Sequence, residues 1–166
     1  VVWDVIQEEA TEDFEKRAAM APREKPYLKT GVFTLSRNRI VWLLVLMVSA
    51  TITGGIIGHF EAAFLAMPLL LTFTPMLTDA GGNAGSQSST MVIRGIALGE
   101  IGMRDMLAVV WKEGRVSILV GVGLAIVNWL RMLLTNPGNG LVALVVSLTL
   151  IGTIFFAKVI GGALPL

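Results

Sequence analysis

Four apolar stretches, at about 40–58, 62–98, 116–134 and 141–164, fill most of the chain beyond its first 39 residues. A helix needs about 20 apolar residues to cross the hydrocarbon core of a bilayer. Backbone polar groups have no water partner there, so a spanning segment must satisfy them internally. The reading is an all-α membrane protein: a polytopic helical bundle with about four spans, preceded by an amphipathic cytoplasmic helix. Composition agrees. Of 166 residues, 54% are hydrophobic and 15% charged, against about 45–50% and 25% in a soluble domain.

Composition also excludes several functions. There is no cysteine, hence no disulfide and no thiolate zinc or iron–sulfur centre. The single histidine, His59, rules out a multi-histidine metal site within one chain. A net charge of +1 leaves no electrostatic footprint for nucleic acid. No GxxxxGK[ST] phosphate loop occurs. A lone membrane-depth aspartate, without a base or nucleophile beside it, does not suggest an enzyme.

Residues 1–39 are polar and hold seven of the twelve acids. Asp4, followed by Glu8, Glu9 and Glu12, with Lys16 and Arg17 later, suits a capped helix and its dipole. Trp3, Ile6, Ala10 and Phe14 form one apolar stripe, and Pro22 and Pro26 end the helix. The first apolar run begins too late for a signal peptide, and the chain reads as a piece of something longer. Lys and Arg are dense before the first stretch, absent from the turn at 59–61, present again as Arg94, Arg104, Lys112 and Arg115, and sparse afterwards. That alternation predicts a cytoplasmic N-terminus. Trp42 and Trp129 fall near span ends, where interfacial anchoring is expected.

The second stretch is too long for one ordinary span, and Asp79-Ala80-Gly81-Gly82-Asn83-Ala84-Gly85 interrupts it. Pro75 and the glycines predict a broken helix near 79–85, a geometry that membrane proteins use where backbone lines a wet cavity or binds a cation. The available ligands are oxygens: the Asp79 carboxylate, the Asn83 and Gln87 amides, and the hydroxyls of Thr78, Ser86 and Thr90. Oxygen favours hard ions such as magnesium and calcium. If the segment after the break is helical, Asn83 and Gln87 share a face with Thr90 close to it. A second reading stands beside this one. Gly81 and Gly85, four apart, also suit close helix packing, and Asp79 also suits a cap. Gly54-xxx-Gly58 and Gly95-xxx-Gly99 read as helix contacts. Lys158, inside the fourth stretch, snorkels to the interface or pairs with an acid on a further span. Glu61, in the external turn, either attracts cations or is merely solvated, and His59 reads as solvated or interfacial.

The run PMLTDAGGNAGSQSSTMVIRGIALGE (Pro75–Glu100) resembles the signature of the MgtE family of magnesium channels and transporters, with DVIQEEATED (Asp4–Asp13) and AKVIGGALPL (Ala157–Leu166) in support. The resemblance implies a homodimer in the cell membrane with the pore along its two-fold axis. It implies Mg2+ as both transported and regulatory ion, with no organic cofactor. It also implies a cytoplasmic N-terminal domain and paired CBS modules that close the pore when magnesium is plentiful, and five spans, the last of which this chain does not reach. On that reading residues 1–36 are a connecting plug helix and linker, and 37–166 the pore domain. Gly82, Asn83 and Gln87 match the pore-facing part of the motif; Asp79 and Thr90 join them by chemistry. Glu8, Glu9, Glu12 and Asp13 are candidates for regulatory cations. The competing readings are a broken-helix secondary transporter for an organic solute and a non-conducting membrane subunit.

Overall fold

The computed structural model describes residues 27–166, which fall into two units, one ending at Ala62 and one running from Ala63 to Leu166. The expected plug helix, with Trp3, Glu8, Glu9, Glu12 and Asp13, lies outside the described residues.

In the first unit a 3-10 turn, Tyr27–Lys29, precedes helix α1, Val32–His59. This helix is 28 residues long and apolar enough to cross a membrane. It starts earlier than the apolar run because Arg37 and Arg39 continue the helix on its polar N-terminal end. Thr51 and Thr53 bond their hydroxyls back to the carbonyls of Met47 and Ser49, at 2.9 and 3.1 Å. Such back-bonding satisfies a hydroxyl where water is absent. A Cβ on Gly54, Gly55 or Gly58 would meet nothing within 4 Å, so the expected contact at Gly54-xxx-Gly58 is not made among the described residues. A short helix, α2, follows at Glu61–Ala66.

The second unit is a three-helix bundle: α3 (Thr74–Ala97), α4 (Met106–Thr135) and α5 (Gly140–Ala163). A 3-10 segment, Pro68–Phe73, leads into α3 and another, Met103–Asp105, into α4. α5 is the central helix and packs against both others, while α3 and α4 touch each other little. Helices in lipid gain little from burying apolar surface, so close packing of small residues carries the association. The seam of α4 shows this: Gly114, Ser117, Gly121, Ala125, Asn128 and Met132 recur at three- and four-residue steps and are all buried. On the other side, Gly81, Ala84, Ser88, Val92 and Gly95 form the buried face of α3. Phe73, Met132, Val142, Ala143 and Val146 make one apolar core, and Ala84, Leu150 and Ile154 a second.

One expectation is corrected here. The second apolar stretch is broken, but not near 79–85: α3 runs unbroken through Asp79–Gly85, and the interruption lies before it, at Met67–Phe73. Pro75 occupies the first turn of α3, where a missing N–H breaks no helical bond. The glycines keep their helical bonds, and Gly81 and Gly85 use their lack of a side chain for packing. A Cβ on Gly81 would lie 2.9 Å from Thr153 Cγ2, and one on Gly85 would lie 3.1 Å from the Ala157 carbonyl oxygen. Among the described residues three helices, α1, α4 with its leading turn, and α5, are long and apolar enough to cross a membrane. α3 has the length but carries polar residues in place of apolar ones.

α3 ends on a helix-stop motif. Gly99 has φ +70°, its N–H reaches the Ile96 carbonyl at 2.9 Å, and the Glu100 N–H reaches the Gly95 carbonyl at 2.8 Å. Glycine takes this left-handed position without the usual steric penalty. Gly95 therefore serves the turn: a Cβ there would run into the Ile101 side chain rather than a neighbouring helix.

Candidate functional site: a polar face on one helix

Because α3 is continuous, its residues sort onto two opposite faces. One holds the buried small residues above. The other holds Asp79, Gly82, Asn83, Ser86, Gln87 and Thr90, all exposed. They recur at three- and four-residue steps, so they form one polar track about 16 Å long at 1.5 Å per residue. The five expected ion-pathway residues, Asp79, Gly82, Asn83, Gln87 and Thr90, thus lie together on it. Arg94, exposed one turn beyond Thr90, ends the track and complements the negative end of the helix dipole. Gly82 differs from the other glycines nearby: a Cβ there would meet nothing within 4 Å, so packing inside this chain does not require it. Thr78, exposed four residues before Gly82, has its hydroxyl bonded back to the Thr74 carbonyl at 2.9 Å.

Glu61 is exposed in the first turn of α2. His59 ends α1 and meets the Phe60 ring edge-to-face, with centroids 5.2 Å apart. No cluster of three or more His, Asp or Glu occurs among the described residues, so the track offers amides, hydroxyls and a single carboxylate.

Behind the track the bundle buries an ionic triad. Lys158 on α5 donates from Nζ to Ser88 Oγ at 3.2 Å, and Ser88 donates to Glu113 Oε2 at 2.6 Å. Lys158 Nζ and Glu113 Oε2 are also 3.8 Å apart. Ser88 is 1% exposed and Lys158 6%. Lys158 therefore does not snorkel, nor does it wait for a further span; its acid is on α4. A buried cation is costly unless an acid and further hydrogen bonds compensate it, and Glu113 and Ser88 do so here. Gly162 leaves room for that acid: a Cβ there would sit 3.0 Å from Glu113 Cγ. Sequence reasoning missed Glu113, because Lys112-Glu113-Gly114-Arg115 reads as a solvated charge run. The available signal was its position three residues ahead of an apolar run on the same helix.

A second polar cluster lies toward the other end of α4. Buried Asn128 donates to Ser147 Oγ at 3.1 Å and accepts from Arg131 Nη2 at 2.8 Å. The Arg131 guanidinium also sits 5.8 Å from the Phe73 ring centroid, within the range of a cation–π contact.

A helical membrane bundle that leaves a hydrophilic face on one helix fits a transport or channel class of protein. The comparisons make this specific. A family profile described as "MgtE: Divalent cation transporter" matches residues 74–166, just over half of the chain and the whole α3–α5 bundle. The chain belongs to the MgtE family, a family of transporters rather than enzymes. It is 34% identical over 169 residues to a magnesium transporter MgtE of Thermus thermophilus and 31% identical over 165 residues to one of Bacillus subtilis. Both alignments take in 99% of the chain. A magnesium transporter MgtE of Enterococcus faecalis is 27% identical over 97 residues, 58% of the chain. The chain spans 36% of the length of the first two relatives.

Proposed function

We propose that this chain lines a pathway for hydrated Mg2+ across the cell membrane, with α3 as the pathway wall and Asp79, Gly82, Asn83, Gln87 and Thr90 as its lining. The carrying observation is that these residues share one exposed face while the opposite face of α3 is packed. A polar face of this length is costly against lipid. A second copy placed across a two-fold axis would cover it with an identical polar face and leave a wet track between the two, which favours a homodimer.

Mg2+ releases its water reluctantly, so a pathway for the hydrated ion needs hydrogen-bonding walls more than a cage of carboxylates. One Asp with two amides and the Thr90 hydroxyl per chain, and Ser86 beside them on the track, fits that requirement. The names of the relatives point to the same ion. A divalent cation gains about 4.6 kcal/mol on crossing 100 mV, twice the roughly 2.3 kcal/mol of a single charge, so the membrane potential suffices to drive entry. The Lys/Arg distribution supports a cytoplasmic N-terminus. The resemblance adds gating by cytoplasmic magnesium through N-terminal and CBS domains, with Glu8, Glu9, Glu12 and Asp13 as regulatory contacts and Glu61 as an attractor at the external mouth.

The test is Mg2+ flux into liposomes bearing the full-length protein under an imposed potential, with Ca2+ and Co2+ as competitors. The expected result is voltage-driven Mg2+ entry that the competitors reduce unequally. Voltage-independent flux, or flux that requires an organic solute, contradicts the proposal.

A further inference from the structure

The face of α3 that seats it in the bundle is smooth. Gly81, Ala84 and Gly85 meet Thr153, Ala157 and the backbone near Gly161. Contacts between backbones and small groups resist separation, but they carry little directional preference against rotation about the helix axis. Hydrogen bonds do carry direction. α3 has such bonds to its neighbours at two levels. Near its start, Arg131 Nη2 approaches Met76 Sδ at 3.6 Å, a soft sulfur contact from an exposed side chain. In its middle, Ser88 accepts from Lys158 on α5 and donates to Glu113 on α4. Ser88 is adjacent in sequence to Gln87, one of the residues on the polar track.

We infer that the Ser88–Glu113–Lys158 triad is a positioning device that fixes the rotation of α3, and with it which of its side chains line the pathway. The inference rests on the reading of the polar face as the ion pathway. Ser88 is the pivot, since among the described residues its hydroxyl is the one side-chain group of α3 that bonds both other helices of the bundle at once. Glu113 and Lys158 neutralise each other, so the anchor brings no net charge near the track. With the serine hydroxyl removed, Lys158 and Glu113 remain paired with each other, and the bundle keeps its packing while α3 loses its directional tie.

Single cysteines, in a cysteine-free background of the full-length protein in liposomes, at positions 82, 83, 86, 87 and 90 on the track and at 80, 89 and 93 on its half-buried flank report which residues face water. Their labelling by a charged thiol reagent is compared between the wild-type background and Ser88→Ala, and again with Ser88→Thr, which restores a hydroxyl. The expected result is a labelling pattern that follows the polar track in the wild type. In Ser88→Ala the contrast between positions falls about five-fold, the effect of roughly 1 kcal/mol of lost hydrogen bonding, and Ser88→Thr recovers part of it. Magnesium preference over cobalt shifts in parallel. An unchanged pattern in Ser88→Ala overturns the inference, as does a loss of thermal stability with pattern and preference intact, which marks a purely structural role. If no position labels in the wild-type background, the pathway reading fails and takes this inference with it. Asn83→Leu flux, measured separately, shows which of the two has failed.

Discussion

The two faces of α3 use the same small and polar residue types for opposite ends. On the buried face, Gly81, Gly85 and Ser88 are small because another backbone or side chain occupies the space beside them. On the exposed face, Gly82 is small with nothing within 4 Å of its would-be Cβ. Within one stretch, Gly81-Gly82-Asn83-Ala84-Gly85, neighbouring glycines therefore answer to different constraints. The lesson is that a small-residue run in a membrane helix is not one feature: register assigns each position to packing or to the pathway.

The comparison can be broken in four places. The largest effect is expected at Gly161→Val. Its Cβ would run into the Gly85 backbone, and overpacking of that kind destabilises by about 3 kcal/mol or more. The predicted outcome is little folded protein on size-exclusion chromatography in detergent. Next comes Lys158→Met, which leaves the part-buried Glu113 without its cation; loss of about 2 kcal/mol is expected, read as a lower melting temperature. The double substitution Lys158→Met with Glu113→Gln should recover most of it, since no lone charge remains. A third, Gln87→Leu, should leave folding within about 0.5 kcal/mol of wild type while lowering Mg2+ flux several-fold. If its stability falls as much as that of Gly161→Val, the two faces are not distinct. The smallest effect is expected for Gly82→Ala: no measurable change in monomer stability, because the site is open within the chain. A loss of flux there would sharpen the comparison by showing that an ion or a second copy approaches Gly82.

Much of the bundle was legible in the sequence. The runs at 40–58, 116–134 and 141–164 mark α1, α4 and α5 because apolar continuity is a property of residue types alone. Their limits were less visible. α4 begins ten residues earlier, at Met106, since charged residues such as Lys112 and Arg115 extend a helix without lengthening its apolar run. The state of α3 was not legible. Glycine content argues for a break, but in a membrane the backbone keeps its helical bonds unless protein or water replaces them, and the packing partners of Gly81 and Gly85 lie more than 60 residues away. The grouping of Asn83, Gln87 and Thr90 followed from helical periodicity once helicity was granted. The triad did not, because Ser88, Glu113 and Lys158 come from three helices and only the fold brings them together.

The most direct measurement is Mg2+ uptake into liposomes bearing the full-length protein, wild type against Asn83→Leu. Asn83 is exposed at the middle of the polar track, so leucine there should leave the bundle folded. The account predicts a drop in uptake of roughly ten-fold or more, as expected when a needed polar partner is replaced by an apolar one, with folded protein recovered in normal amount. Uptake equal to wild type would contradict it, and would mean that the polar face of α3 serves packing against another part of the protein and not the passage of the ion.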